Sequence, residues 1–116
     1  MNEELIEQIE KLKKSGCLII VEGKKDKNAL EHLGLKNEIV TLSKKPIFSL
    51  VEDIVRKNKK VAILTDMDKK GRQLYGKLNS NLQQFGVKVD NKFREFLLKE
   101  TKLRQIEGLV TYLGAF

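Results

Sequence analysis

The sequence predicts an α/β protein built on a small Rossmann-like parallel sheet of about four strands with helices on both faces. Three observations predict it. The run Cys17-Leu18-Ile19-Ile20-Val21 shows no polar alternation, and Lys60-Val61-Ala62-Ile63-Leu64-Thr65 reads as a further buried strand, as in strands buried on both faces. Segments with helical spacing stand between the strand candidates in the order α-βα-βα-βα-β, and such alternation builds βαβ units. At roughly 100–150 residues per domain, a chain of 116 residues forms one domain spanning 1–116.

Each element has its own justification. Over residues 3–14, Leu5, Ile6, Ile9 and Leu12 share a helical face, and Ser15-Gly16 ends that helix. The first strand follows and stops at Glu22-Gly23. Residues 26–33 form a helix carrying Ala29, Leu30 and Leu33, and a short second strand runs from Glu38 to Leu42. Pro46 suits the first turn of a helix through Phe48, Leu50, Val51, Ile54 and Val55. After the third strand, a longer helix from about residue 69 aligns Leu74, Leu78, Leu82 and Phe85. Gly86 to Val89 supplies a weak fourth strand, closing a core of about 16–90. Right-handed crossovers then favour the strand order 2-1-3-4. A C-terminal tail of two helices, about 91–113, carries Phe93, Phe96 and Leu97, then Leu103, Ile106, Val110 and Leu113, with Asp90 suited to cap the first of them.

Composition narrows the function. The chain carries 23 bases against 16 acids, a net charge of +7, and residues 16–87 hold most of the excess. Such a balance suits nucleic acid, a membrane surface or an acidic partner. The lone Cys17 rules out an internal disulfide or a cysteine-cluster zinc site, and reads as packing. The lone His32 reads as a surface side chain. No apolar run reaches the roughly 20 residues of a membrane span, and the acidic N-terminus lacks a secretory pattern. A cytoplasmic setting is therefore expected, with no membrane partner.

In an open α/β sheet, ligands bind beyond the carboxyl ends of the strands where strand order reverses, here between the first and third strands. The first delivers Glu22-Gly23-Lys24-Lys25-Asp26-Lys27, the third Asp66-Met67-Asp68-Lys69-Lys70-Gly71-Arg72. Glu22, Asp66 and Asp68 are thus expected in one crevice. Two charges 4 Å apart repel by roughly 4 kcal/mol at an effective dielectric of 20, so protonation, lysines or a divalent cation must offset them. Mg²⁺ favours carboxylate oxygens and needs only one or two from protein, one or two ions being compatible with Asp-x-Asp. The alternative for Asp68 is a simple helix cap. Lys24, Lys25, Lys27, Lys44, Lys45, Lys69, Lys70 and Arg72 all follow strands and belong to the same edge, placed to contact phosphates. The run Arg56-Lys57-Asn58-Lys59-Lys60 precedes a strand and falls on the opposite edge. Gly23-Lys24 lacks the spacing of a nucleotide phosphate loop.

Ile20-Val21-Glu22-Gly23-Lys24-Lys25-Asp26, followed by Ile63-Leu64-Thr65-Asp66-Met67-Asp68-Lys69-Lys70-Gly71, resembles the Toprim domain shared by topoisomerases, primases, OLD-type nucleases and the RNase M5 family. The resemblance implies Mg²⁺-dependent phosphodiester chemistry, with Mn²⁺ as a substitute. It makes Glu22 the general acid/base and a possible metal ligand. It makes Asp66 and Asp68 Mg²⁺ ligands, the first able to bridge two ions. Gly71 would permit a tight turn into the helix, and Lys24 and Asp26 match the nuclease branch. Neither Tyr75 nor Tyr112 is placed like a topoisomerase nucleophile, and both read as packing. A zinc ribbon and the larger RNA-binding part of RNase M5 are missing. The chain looks most like small stand-alone Toprim proteins, for which protein partners would supply substrate recognition. The leading expectation is a nuclease or primase-like enzyme acting on RNA or DNA. The alternatives are a non-catalytic nucleic-acid-binding module of a larger assembly and a small-molecule phosphotransferase. Phe48, Phe93 and Phe96 fit core patterns, so no row of base-stacking aromatics is visible.

Overall fold

A computed structural model describes residues 2–114, with only the backbone described at Asn2 and Lys44. Three strands form a parallel sheet in the order β2-β1-β3: β1 (Leu18–Val21), β2 (Ile39–Thr41) and β3 (Val61–Ile63). Helices α1 (Asn2–Ser15), α2 (Lys24–His32), α3 (Ile47–Lys57), α4 (Lys69–Gln84), α5 (Lys92–Glu100) and α6 (Gly108–Tyr112) surround it. A 3₁₀ turn, Leu42–Lys44, joins β2 to α3.

The period of two in a strand explains the unalternating runs. Ile19, Val21, Ala62 and Leu64 face one way, against Leu5, Ile9 and Leu12 of α1, Leu30 of α2, Phe93 and Leu97 of α5, and Ile106 and Leu109. Leu18, Ile20, Val61 and Ile63 face the other way, against Leu50, Val51 and Ile54 of α3 and Leu78 and Leu82 of α4. Each strand thus serves two apolar layers, and a polar residue on either face would be buried. α1 ends at Gly16, whose φ of +68° is the left-handed conformation glycine adopts freely. Cys17 is buried, as expected, and His32 is exposed. Among the described residues no helix is long and apolar enough to cross a membrane.

Several expectations need correction. The fourth strand shrinks to one parallel bridge between Val61 and Val89, in which Val61 N–H donates to Lys88 O at 2.9 Å and Asp90 N–H to Val61 O at 2.7 Å. Ile6 (51% exposed), Phe48 (63%) and Phe85 (52%) are not core residues. Phe48 lies roughly a third of a turn round α3 from the stripe Leu50-Val51-Ile54 that meets the sheet. Phe85 sits at the C-cap, past the last turn of α4. Pro46 is the N-cap of α3, not part of its first turn. Asn91 is the N-cap residue of α5, although Asp90 still serves its start by accepting the Lys92 N–H through Oδ1 at 3.0 Å.

Candidate functional site

The strand register fixes where the acids emerge. Leu18 lies beside Val61 and Ile20 beside Ile63, so β1 and β3 run out together at the carboxyl edge. One residue past β1, the Glu22 carboxylate accepts the backbone N–H of Asp66 through Oε2 at 2.8 Å. Forty-four residues apart in sequence, the two acids are clamped side by side. Asp66 in turn accepts the N–H of Ile106 through Oδ1 at 2.9 Å. Asp68 is the N-cap of α4 and accepts the Gly71 N–H through Oδ1 at 2.8 Å. The capping role expected as the alternative for Asp68 is therefore present, and it occupies only one of the two carboxylate oxygens.

Gly71 shows why the Asp-x-Asp-x-x-Gly spacing is rigid. A Cβ on Gly71 would lie 1.9 Å from the carbonyl oxygen of Asp66 and 2.4 Å from its carbonyl carbon. The first turn of α4 therefore rests directly on the backbone of the acid loop. Thr65, fully buried, completes the join by donating its hydroxyl to Gly71 O at 2.7 Å. Gly23 differs: it is extended, at φ −147°, with nothing within 4 Å of where a Cβ would stand. Asp26 is buried and turns back on Gly23, accepting its N–H through Oδ2 at 3.0 Å.

The acids feel one another. Burial raises Asp66 above the ordinary aspartate range, and the charges of Asp68 and Glu107 add to the rise, while the Ile106 amide and Arg94 oppose it. Burial likewise raises Asp26; the Gly23 amide opposes the rise, and the charges of Asp66, Glu22 and Glu107 increase it. Even so, among the described residues no three acids stand close enough to enclose an ion. The donor set fits a hard cation in a more open manner. Glu22 Oε1, Asp66 Oδ2 and Asp68 Oδ2 have no protein donor among the described residues, and Mg²⁺ keeps several waters beside one or two carboxylates.

The bases divide by edge. Lys24 and Lys25 lie exposed on the first turn of α2, Lys69 and Lys70 on the first turn of α4, with Arg72 exposed and Lys27 half-buried. None of these six ion-pairs with an acid among the described residues. Lys45 forms an exposed ion pair with Asp53 of α3, and the Lys44 side chain lies outside the described residues. At the opposite edge, Lys57 and Lys59 both reach Glu38, at 2.5 and 3.4 Å, as expected of a solvated surface.

Sequence reasoning missed three contributors. Arg94, 3% exposed, donates to Thr65 O at 2.5 Å and Asp66 O at 3.1 Å and lies over the Tyr75 ring, 4.6 Å from its centre. Its signal in the sequence was only an arginine beside Phe93 on a helix destined for the core. The residues preceding α6 cross the acid loop, Met67 N–H donating to Arg104 O at 2.8 Å while Ile106 holds Asp66. Backbone groups leave no mark in a sequence. Glu107 joins the acidic field through the same crossing.

The Toprim domain family model matches residues 17–96, which contain both strand exits and all three acids. A UPF0292 protein of Methanocaldococcus jannaschii is 38% identical over 97% of this chain and 91% of its own length. One from Pyrococcus abyssi is 41% identical over 87% of this chain and 75% of its own length. The solved structure of a protein from Aquifex aeolicus superposes with a TM-score of 0.78 at 35% identity, covering 90% of this chain and 94% of that one. At the level of the family, the Toprim domain implies metal-dependent chemistry on nucleic acid and typically binds Mg²⁺. With the motif, the sheet and the relatives in agreement, this chain belongs to the Toprim domain family.

Proposed function

We propose that this chain performs Mg²⁺-dependent phosphodiester chemistry on RNA or DNA. The observation that carries the reading is the pairing of the Glu22 and Asp66 acids between two cationic helix starts. A helix N-terminus is the positive end of its dipole, where each added cation is unfavourable by about 0.3–1 kcal/mol. α2 and α4 nevertheless begin Lys24-Lys25 and Lys69-Lys70. An anion arriving at that edge meets lysines and helix amides together, so a phosphate backbone offsets the unfavourable placing of lysines at helix starts.

In this reading the cation takes one or two carboxylate oxygens from among Glu22, Asp66 and Asp68, those that the protein leaves without donors, and keeps water at its other positions. A bound Mg²⁺ supplies water activation and charge neutralisation at the scissile phosphate. Glu22 moves the proton, Asp66 and Asp68 fix the site relative to β3 and α4, and the lysines and Arg72 hold flanking phosphates. A small-molecule phosphotransferase is less well supported, since such sites are enclosed. A hollow of about 790 Å³ lies between α1 and α5, lined by Gln8, Lys11, Phe96 and Leu98, away from the acids.

Calorimetric titration with Mn²⁺ tests the metal. Wild-type protein should bind, and Asp66→Asn should lose that binding. The same variant should melt about 2–6 °C higher than wild type in the absence of metal. The sign follows from the raised Asp66: its charged form opposes folding, weakly in acid and increasingly as pH rises through the raised value. Asparagine retains an acceptor for Ile106 and removes that charge. Equal Mn²⁺ binding by wild type and variant would remove Asp66 from the site.

Salt dependence tests the phosphate contacts. With about four to six phosphates engaged, log K against log salt should fall with a slope of roughly −3 to −5. Lys70→Ala should flatten the slope by about one unit, and Lys59→Ala, on the far edge, should leave it unchanged. Equal effects at the two positions would place the nucleic acid elsewhere.

A further inference from the structure

In β3 the N–H and C=O groups of alternate residues point to opposite sides. Leu64 N–H donates to Ile20 O of β1 at 2.7 Å, so Val61, Ile63 and Thr65 turn their backbone groups to the outer side. Val61 is satisfied there by Lys88 and Asp90. No strand residue follows to serve Ile63 and Thr65. The Arg94 guanidinium takes that place, with Nη1 2.5 Å from Thr65 O and 3.5 Å from Ile63 O, and Nη2 3.1 Å from Asp66 O. One planar fork stands where a fourth strand would continue, and it ends on the residue that carries the acid.

A buried cation is expensive unless paired, and Arg94 ion-pairs with no carboxylate among the described residues. The guanidinium also lies over the ring of Tyr75, from the second turn of α4, 4.6 Å from its centre. A neutral donor would satisfy the same carbonyls without burying a charge. A cation placed behind Asp66, on the side away from solvent, makes sense where acids must stay assembled in front of it. The fork also fixes the peptide whose N–H holds Glu22. We infer that Arg94, seated on Tyr75, is a positioning residue that sets the direction of the Asp66 and Glu22 carboxylates for cation binding. The inference rests on the metal-binding reading above and adds to it a residue from the helical tail.

The test is Mn²⁺ affinity of the full chain, read by calorimetry and by the electron paramagnetic resonance spectrum of bound Mn²⁺, well below the melting transition. Wild type, Arg94→Lys, Arg94→Met and Tyr75→Leu are compared. Loss of a group that orients metal ligands weakens binding by about 10–100-fold, and that is expected of Arg94→Met and also of Arg94→Lys, which keeps a charge but not the fork. Tyr75→Leu should shift affinity in the same direction by a smaller factor, and it serves alone if neither Arg94 variant folds. A role limited to stability would lower the melting temperature and leave the affinity and spectrum of the folded protein unchanged, which would overturn the inference. Wild-type affinity in Arg94→Lys would also overturn it, by assigning the effect to charge alone. Absence of Mn²⁺ binding by wild type would instead overturn the metal reading, and this inference with it.

Discussion

Gly71→Ala is expected to destabilise the fold by about 4 kcal/mol or more, in the range reserved for severe steric conflicts. An exposed glycine early in a helix ordinarily gains up to about 1 kcal/mol on conversion to alanine, so the sign itself is diagnostic. Here the new Cβ meets the Asp66 carbonyl oxygen at 1.9 Å, and that atom is backbone, not the end of a flexible side chain. Relief requires α4 to lift away from the Asp66 backbone, which breaks the Thr65–Gly71 hydrogen bond. Gly23→Ala, with open space where its Cβ would stand, should change stability by less than about 1 kcal/mol. Urea unfolding of the two variants gives the comparison. Near-equal stabilities would show that α4 does not rest on the acid loop as closely as described.

That contrast shows how the sequence could be read and where reading stops. Gly71 was legible only through the family resemblance, which implied a tight turn into the helix; its structural reason is the close approach of α4 to the Asp66 backbone. The edge carrying Glu22, Asp66 and Asp68 was legible because parallel strands present their exits together. The two-layer core was legible from unbroken apolar runs, whose alternate residues serve opposite faces. Phe48 was misread because apolar spacing cannot say which side of an α3 stripe lies beyond the sheet. The fourth strand was overread because the chain turns into α5 just past Val89: one bridge to Val61 forms, and Arg94 meets the Ile63 and Thr65 carbonyls that a continuing strand would have served. The Ile106 amide on Asp66 was beyond reach altogether, because a backbone donor forty residues away carries no residue-type signature.

Glu22→Gln should separate catalysis from binding. In the phosphodiesterase reading it lowers turnover by roughly 10²–10⁴-fold, the usual contribution of a positioned acid or base. Glutamine is nearly isosteric, and its amide oxygen can accept the Asp66 N–H that Glu22 Oε2 accepts now, so the clamp between β1 and β3 survives. What is lost is a carboxylate oxygen facing the site and the capacity to exchange a proton. Nucleic-acid affinity, set by the lysines of α2 and α4, should stay within a few-fold, so the loss falls on kcat and not on KM. Asp68→Asn should behave differently: the Gly71 cap is retained, one ligand is weakened, and raising Mn²⁺ restores part of the activity. The assay is cleavage of labelled single strands, duplexes and structured RNA with Mn²⁺ and Mg²⁺. If wild-type protein binds these substrates and turns none over, the lysine rim serves a nucleic-acid-binding module, and Glu22 is then a structural clamp whose exchange for glutamine changes nothing measurable.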